Sequence, residues 1–327
     1  RSHALPRNYD TIAVCKLVGL GSILHATPLL ATLRATFPRS RLLFVSTRSN
    51  RELLEAIGPF DLTILIEDRG MVKLFLTTLI ALVRIRRYRV TAFFDLEIYS
   101  NFSSILTALS LARFRFGYFR GTYVFNLGIY THMLYFNTKA PISRVYLQLA
   151  RYAGCPNSVE EIVRLTPRPG IREELDRLLA ARYAIAAADT DIIAINPNAS
   201  PLRIERRWGA SRFASLARRL LECFPRLRLV CIGSAEEKPY VDSLCAMIEH
   251  PEDRMCNVAG SLTFEMLVAL FDRVRLVVTN DTGPLHLAAA MRKDTIALFG
   301  PCSPDQYGKL PGVYPIYANV YCSPCVH

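Results

Sequence analysis

This chain has no full Gly-x-Gly-x-x-Gly run; the nearest approach, Gly19-Leu20-Gly21-Ser22, stops after the second glycine. That spacing is what lets a strand–turn–helix unit take a dinucleotide pyrophosphate, so a nicotinamide dehydrogenase is disfavoured. No secretory signal is legible. The apolar run Leu74–Val83 is too short to cross a bilayer, which takes about 20 residues. Nucleic-acid-binding motifs are missing, so nucleic acid is not expected as a partner. Metal ligands are scarce: Cys322 and Cys325 form a lone Cys-x-x-Cys with only His327 nearby, short of the full ligand set of a structural zinc. No metal and no cofactor are therefore expected. The nine cysteines are odd in number and scattered through apolar patterns. They read as buried thiols in a reducing compartment rather than as a disulfide framework.

What is present is a basic, apolar α/β chain. Its 40 basic and 28 acidic residues leave a net charge of +12, which favours anionic partners such as a nucleotide or an acidic membrane surface. With 327 residues, 51% of them hydrophobic, two cores can be filled. Short apolar runs alternate with helical patterns throughout, the signature of doubly wound parallel sheets. In the first half, strands are predicted at Thr11–Leu17, Arg41–Thr47, Leu62–Ile66, Val90–Leu96 and Phe114–Tyr118. Helices are predicted at Ile23–Thr36, Arg51–Ile57, Met71–Arg87, Ser103–Leu111 and Ser143–Ala153. The charged, proline-bearing segment Pro156–Asp191 reads as the join. That gives a domain at 1–165, a linker at 166–190 and a second domain at 191–327. A new βα series begins with strands at Ile192–Ile195 and Arg228–Ile232 and helices at Ser211–Cys223, Glu236–Ile248 and Phe264–Phe271. Ligands are expected in the cleft between the carboxyl ends of both sheets.

The densest chemistry lies in Leu276–Pro304, read as strand Leu276–Thr279, a sharp turn, helix Pro284–Met291 and strand Thr295–Phe299. Asp281 or Thr282 can cap this helix, Gly283 allows unusual backbone angles, and Pro284 suits the first helical turn. Free N–H groups and the positive end of the dipole make such a helix start an anion site; an ordinary capped helix is the alternative. His286 lies on the first turn. Arg203, Arg206 and Arg207 precede Trp208, and Arg206 is the candidate for pairing with phosphate, against a solvated charged loop. Glu236 or Glu237 could meet ribose hydroxyls, and either also suits a helix start. Lys16 meets an anionic acceptor or balances a buried charge; His25 reaches the acceptor or packs. His132 has no motif around it and reads as structural. Leu74–Val83, backed by Arg84, Arg86, Arg87 and Arg89, is a core helix or an element lying on anionic lipid.

The run Val278-Thr279-Asn280-Asp281-Thr282-Gly283-Pro284-Leu285-His286-Leu287-Ala288-Ala289-Ala290, followed by Ala297-Leu298-Phe299-Gly300-Pro301, resembles glycosyltransferase family 9. This is the family of the ADP-heptose–lipopolysaccharide heptosyltransferases. Lys16-Leu17-Val18-Gly19-Leu20-Gly21 with Thr27-Pro28-Leu29-Leu30, Asn196-Pro197 before Arg206-Arg207-Trp208, Gly233-Ser234-Ala235-Glu236-Glu237 and Phe94-Asp95-Leu96-Glu97 also fit. The resemblance implies an α/β GT-B fold, two Rossmann-like doubly wound domains facing a central cleft. It implies inverting, metal-independent transfer of a sugar from a nucleotide-sugar donor such as ADP-heptose to a glycan, glycolipid or lipopolysaccharide-type acceptor. The implied donor site is Ser200, Arg206, Glu236, Glu237, Asp281, Thr282, Gly283 and His286; the implied acceptor side is Lys16, Gly21 and His25. A cytoplasmic enzyme, peripheral on the inner face of the cell membrane, would suit such an acceptor. The helices with which a GT-B chain crosses back onto its first domain are missing, so a truncated C-terminus is expected.

One position departs from the family. Its members usually carry Asp directly after the glycine that is Gly21 here, as general base or acceptor-positioning carboxylate; this chain has Ser22. A serine hydroxyl is a poor base without a partner. Two readings follow: the base has moved to Asp95 or Glu97 at the end of the fourth strand, with Ser22 beside it, or the chain is a catalytically degenerate protein that binds a nucleotide sugar or glycolipid.

Overall fold

The computed structural model describes residues 5–58, 60–119, 128–248 and 254–325. The chain divides into two compact units, Arg1–Val163 and Arg164–His327.

The first unit runs β1 (Thr11–Cys15), α1 (Leu20–Thr36), β2 (Arg41–Thr47), α2 (Arg51–Ile57), β3 (Leu62–Ile66), α3 (Met71–Arg87), β4 (Ala92–Asp95), α4 (Asn101–Leu109), β5 (Phe114–Phe119), β6 (His132–Tyr135) and α5 (Ile142–Tyr152). The six strands are parallel, in the order β3-β2-β1-β4-β5-β6. Every residue of β1 is buried, as a central strand covered on both faces requires, and so it shows no alternation in sequence. Helix α1 is entered through Gly19 at φ +94°, a left-handed backbone that a side chain would strain. Its Thr27 and Thr32 hydroxyls accept the backbone N–H of Val163 and Val159 at 3.0 and 2.9 Å, tying the end of the unit to the helix. Strand β6 was not predicted. It is short and partly exposed at the sheet edge, and its His132 ring stacks on Phe116 at 4.8 Å, the structural role expected of it. Helix α3 joins the core through a narrow stripe, the buried Ala81, Leu82 and Ile85 with the partly buried Leu74.

The second unit runs α6 (Ile171–Tyr183), β7 (Ile192–Asn196), a 3-10 segment (Pro201–Arg206), α7 (Ala210–Cys223), β8 (Arg228–Cys231), α8 (Lys238–Ala246), β9 (Met255–Asn257), α9 (Phe264–Arg273), β10 (Leu276–Asn280), α10 (Gly283–Ala290), β11 (Thr295–Phe299), α11 (Pro304–Tyr307) and β12 (Val313–Tyr317). Its strands are also parallel, in the order β12-β11-β10-β7-β8-β9. Residues 166–190, predicted as a linker, belong to this unit, where α6 packs on α9 through the 2.6 Å Arg273–Asp176 ion pair and a contact between Arg172 and Asp272. Helix α8 begins later than predicted. Ser234 N–H donates to Glu237 Oε2 at 2.8 Å and Glu237 N–H to Ser234 Oγ at 3.3 Å, which closes a turn before the helix.

Counted within its own unit, each sheet has the strand order 3-2-1-4-5-6. In that order the connections leave the first and fourth strands in opposite directions, and the crevice beyond their carboxyl ends is where open α/β sheets bind ligands. The strand pairs in question are β1/β4 and β7/β10.

Candidate active site

At the β7/β10 reversal, the strand ends are knitted by three buried asparagines. Asn196 Nδ2 donates to the hydroxyls of Thr279 and Thr282, both at 2.9 Å. Asn280 Nδ2 donates to the carbonyls of Pro197 and Asn198 at 2.9 and 3.0 Å, while its Oδ1 accepts from Trp208 N–H at 3.1 Å. Asn198 Nδ2 donates to the Ile232 carbonyl at 2.8 Å. A Cβ on Gly233 would sit 2.7 Å from that Asn198 nitrogen, so glycine is required for the close approach.

This lattice leaves the start of α10 uncapped. Thr282 is the N-cap residue, yet its side chain makes no capping bond. Its hydroxyl instead faces the Asn196 amide and the Asn280 carbonyl. The predicted cap by Asp281 or Thr282 is therefore corrected. Gly283 is not among the glycines in the left-handed region either; it is the first residue of the helix. Uncapped N–H groups with a positive dipole end are what an anion needs.

Asp281 stands directly before this helix start, 1% exposed. Neither of its carboxylate oxygens has a nitrogen or oxygen donor in hydrogen-bonding geometry among the described residues; the Cys302 thiol is its hydrogen-bonding neighbour. Arg206 Nη1 is 3.3 Å from Oδ2 and donates to the Asp281 carbonyl at 3.1 Å. Burial pushes the Asp281 carboxyl above the usual range, against the pull of the Arg206 charge. The 3-10 segment that carries Arg206 thus sets a guanidinium, with its Nε still unbonded, beside an uncapped helix. Arg207 lies with its guanidinium 3.9 Å from the centre of the Tyr240 ring, a cation–π contact. Of the remaining donor candidates, Ser200 and Glu236 are exposed, Glu237 is held in the turn before α8, and His286 is buried with its ring edge-on to Tyr307 at 5.2 Å.

At the β1/β4 reversal the arrangement is different. Lys16 Nζ meets Glu97 Oε2 at 2.8 Å, with both side chains largely buried. Glu97 Oε1 accepts the N–H of Leu17 at 2.7 Å and of Val18 at 3.0 Å. One carboxylate therefore fixes the loop between β1 and α1, which ends at Gly19; Gly21 and the half-buried Ser22 follow in the first turn of α1. Asp95 is completely buried. Its oxygens accept from the Tyr130 hydroxyl at 2.7 Å, the Thr107 hydroxyl at 3.2 Å and the Glu97 N–H at 3.0 Å. Burial raises its pKa to about 6, with the Tyr130 hydrogen bond opposing. The expectation that Asp95 presents a base at the strand ends is corrected: it lies inside the unit, where it pins Tyr130 to β4 and supports the backbone of Glu97. His25, offered as an acceptor contact, is buried in α1, and burial pushes its pKa down to about 4. Gly21 is buried in the same helix.

Sequence reasoning missed the asparagine lattice, the Tyr240 platform and the Tyr130–Asp95 bond. The first had a signal, an Asn at the carboxyl end of each strand of the pair. Tyr130 had none. All nine cysteines are free thiols, and Cys322 and Cys325 are exposed; His327 lies outside the described residues.

The sequence model of glycosyltransferase family 9 (heptosyltransferase) matches residues 102–327, well over half of the chain. The chain belongs to glycosyltransferase family 9. Lipopolysaccharide heptosyltransferase 2 of Salmonella typhimurium is 28% identical over 163 residues, which is 49% of this chain and 46% of that protein. The match thus spans about half the length of this curated relative. Among solved structures, the glycosyl transferase family 9 protein of Veillonella parvula superposes with a TM-score of 0.77 at 20% identity, over 97% of this chain and 87% of that one. The ADP-heptose lps heptosyltransferase II of E. coli gives 0.75 at 21% identity, over 94% and 89%. Those two likenesses speak for the fold, and the two Rossmann-like units are the GT-B class of α/β architecture. The family 9 motif spanning Val278–Ala290 forms β10, the turn and α10.

Proposed function

We propose that this family 9 chain is a heptosyltransferase-type enzyme that moves a sugar from a nucleoside diphosphate donor to a lipopolysaccharide-type glycan. The carrying observation is the uncapped start of α10 beside Arg206 and the buried Asp281. ADP-heptose is the donor this reading favours, from the name of the E. coli fold relative. The diphosphate lies on the α10 N–H groups and the Arg206 guanidinium. These fixed donors meet the charge that builds on the leaving diphosphate, so the transfer does not call for a divalent ion. The acceptor is held by the first unit. Glu97 is the carboxylate that remains at the strand ends, and it takes the proton of the acceptor hydroxyl while Lys16 holds it in place. The acceptor oxygen attacks the anomeric carbon on the face opposite the diphosphate, and the configuration inverts. A lipid-linked acceptor places the enzyme peripherally at a membrane, on its cytoplasmic face.

Ser22, in the place of the family's carboxylate, favours a second reading, a binding protein without turnover. Incubation with ADP-heptose and a truncated lipopolysaccharide acceptor, in EDTA, separates the two. ADP release together with a product of inverted anomeric configuration is expected. A folded protein that binds ADP but releases none from the donor would leave the binding reading standing and overturn the enzymatic one.

A further inference from the structure

Helix α3 and helix α1 are both 17 residues long and rich in apolar side chains, but α1 buries 11 residues and α3 only three. The outer face of α3 carries Met71, Val72, Phe75, Leu76, Leu79, Ile80 and Val83, each between 45% and 80% exposed. At a helical rise of about 100° per residue these positions fill one half of the cylinder. The helix contains no Asp or Glu. Lys73 and Arg84 border the apolar face along one edge, and Arg86 and Arg87 close its carboxyl end. Arg86 donates to the Leu109 carbonyl at 2.9 Å, which brings the exposed end of α4 alongside, with Leu109 at 43% and Leu111 at 71% exposure. An apolar patch of this extent is unusual on a soluble surface and marks an interaction site.

We infer that this face of α3 docks on an anionic lipid surface, with the helix lying in the plane of the interface. This deepens the glycolipid-acceptor reading above by naming the surface that brings the enzyme to its acceptor, and it rests on that reading for its purpose. Three observations select lipid. The face is convex, and a bilayer receives a half-cylinder without a shaped groove. Apolar side chains bordered by arginines match an acyl boundary beneath anionic headgroups, each basic residue near such a surface adding about fivefold to partitioning. The helix itself carries no carboxylate that anionic headgroups would repel. No helix among the described residues is long and apolar enough to cross a membrane, so the contact is one of lying on the surface.

The test is co-sedimentation of the full chain with vesicles of phosphatidylcholine alone and of phosphatidylcholine mixed with phosphatidylglycerol. The wild type, a Phe75→Gln/Leu79→Gln variant and an Arg84→Gln/Arg87→Gln variant are compared. The wild type should bind the anionic vesicles, less so as salt rises. The arginine variant should lose about tenfold or more of that binding, and the apolar variant should bind neither vesicle. Both variants should keep wild-type ADP binding and transfer to a short soluble acceptor. Equal wild-type binding to both vesicles, no binding to either, or full binding by the apolar variant would overturn the proposal. So would a wild-type dimer in sedimentation that the apolar variant dissolves, because the face would then be a self-interface. Vesicle binding without any sugar transfer would instead sink the enzymatic reading and leave this surface in place.

Discussion

The two strand reversals share one topology and differ in how their carboxylates are used. At β1/β4, Glu97 is largely engaged: it holds two backbone N–H groups on Oε1 and Lys16 on Oε2, all within 3.0 Å, which leaves one lone pair of Oε2 for an acceptor hydroxyl. At β7/β10, Asp281 is buried with no nitrogen or oxygen donor in hydrogen-bonding geometry on either carboxylate oxygen, and the neighbouring helix start is uncapped. The partners of Glu97 fix the β1–α1 loop and the orientation of the carboxylate. The groups at the β7/β10 reversal that suit an anion are donors, the uncapped N–H groups of α10 and the Arg206 guanidinium with its Nε unbonded, because a buried donor left unpaired costs about 1–3 kcal/mol. The difference supports the proposal above that the diphosphate lies on the second unit, with loop positioning and acceptor contact on the first.

The largest effect should come from the first reversal. Glu97→Gln keeps the shape of the side chain but loses its charge, its attraction for Lys16 and its basicity. Turnover should fall by about 10²–10⁴, read in a steady-state ADP-release assay. A loss below about threefold would remove Glu97 from the chemistry and blur the contrast between the sites.

Two buried titrating groups in the first unit sharpen it through pH. Asp95 has a folded-state pKa of about 6 against an ordinary 3.8. Between those values the native state holds the extra proton, so stability falls as pH rises through the window. His25 is pushed from 6.5 to about 4. There the unfolded chain holds the extra proton, so stability falls as pH drops. Each contribution is roughly 3 kcal/mol, and the two oppose each other. Urea unfolding between those pH values should therefore show stability rising with pH in Asp95→Asn and falling in His25→Gln. Parallel profiles in the two variants would contradict the burial of one group or the other.

A smaller effect is expected at the start of α10. Gly283→Val sets a branched side chain where the diphosphate must approach the backbone, and it should weaken ADP binding by about tenfold, the equivalent of 1.4 kcal/mol. Calorimetric titration in EDTA reads this directly. Unchanged affinity in a folded variant would take the diphosphate off this helix.

Much of the contrast was legible before any coordinates. β10 and α10 were read from a buried apolar run and a Thr-Gly-Pro helix start, and the strands read at Val90–Leu96 and Ile192–Ile195 end within one residue of the observed Asp95 and Asn196. The edges were harder. β6, β9 and β12 are three to five residues long and mostly not fully buried, so neither alternation nor an apolar run marks them. The state of each carboxylate was invisible, because burial of Asp95 depends on Tyr130, 35 residues away, and Asp281 meets an arginine 75 residues away. Asp95 and Glu97 were read together at the end of the fourth strand, where side-chain alternation would set both on one face. In the structure β4 ends at Asp95, so the alternation stops there, and Glu97 turns to the β1 loop. Helix α3 was ambiguous for a related reason: an apolar run records that a surface is hydrophobic, not what covers it.

The central claim is that the diphosphate belongs to the second reversal. It is tested most directly by titrating ADP, in EDTA, into the wild type, Arg206→Ala and Glu97→Gln. The account predicts that Arg206→Ala weakens binding by about 10- to 100-fold, the worth of charge-assisted hydrogen bonds, while Glu97→Gln binds as the wild type does. Wild-type affinity in Arg206→Ala together with lost affinity in Glu97→Gln would place the diphosphate in the first unit and contradict the account.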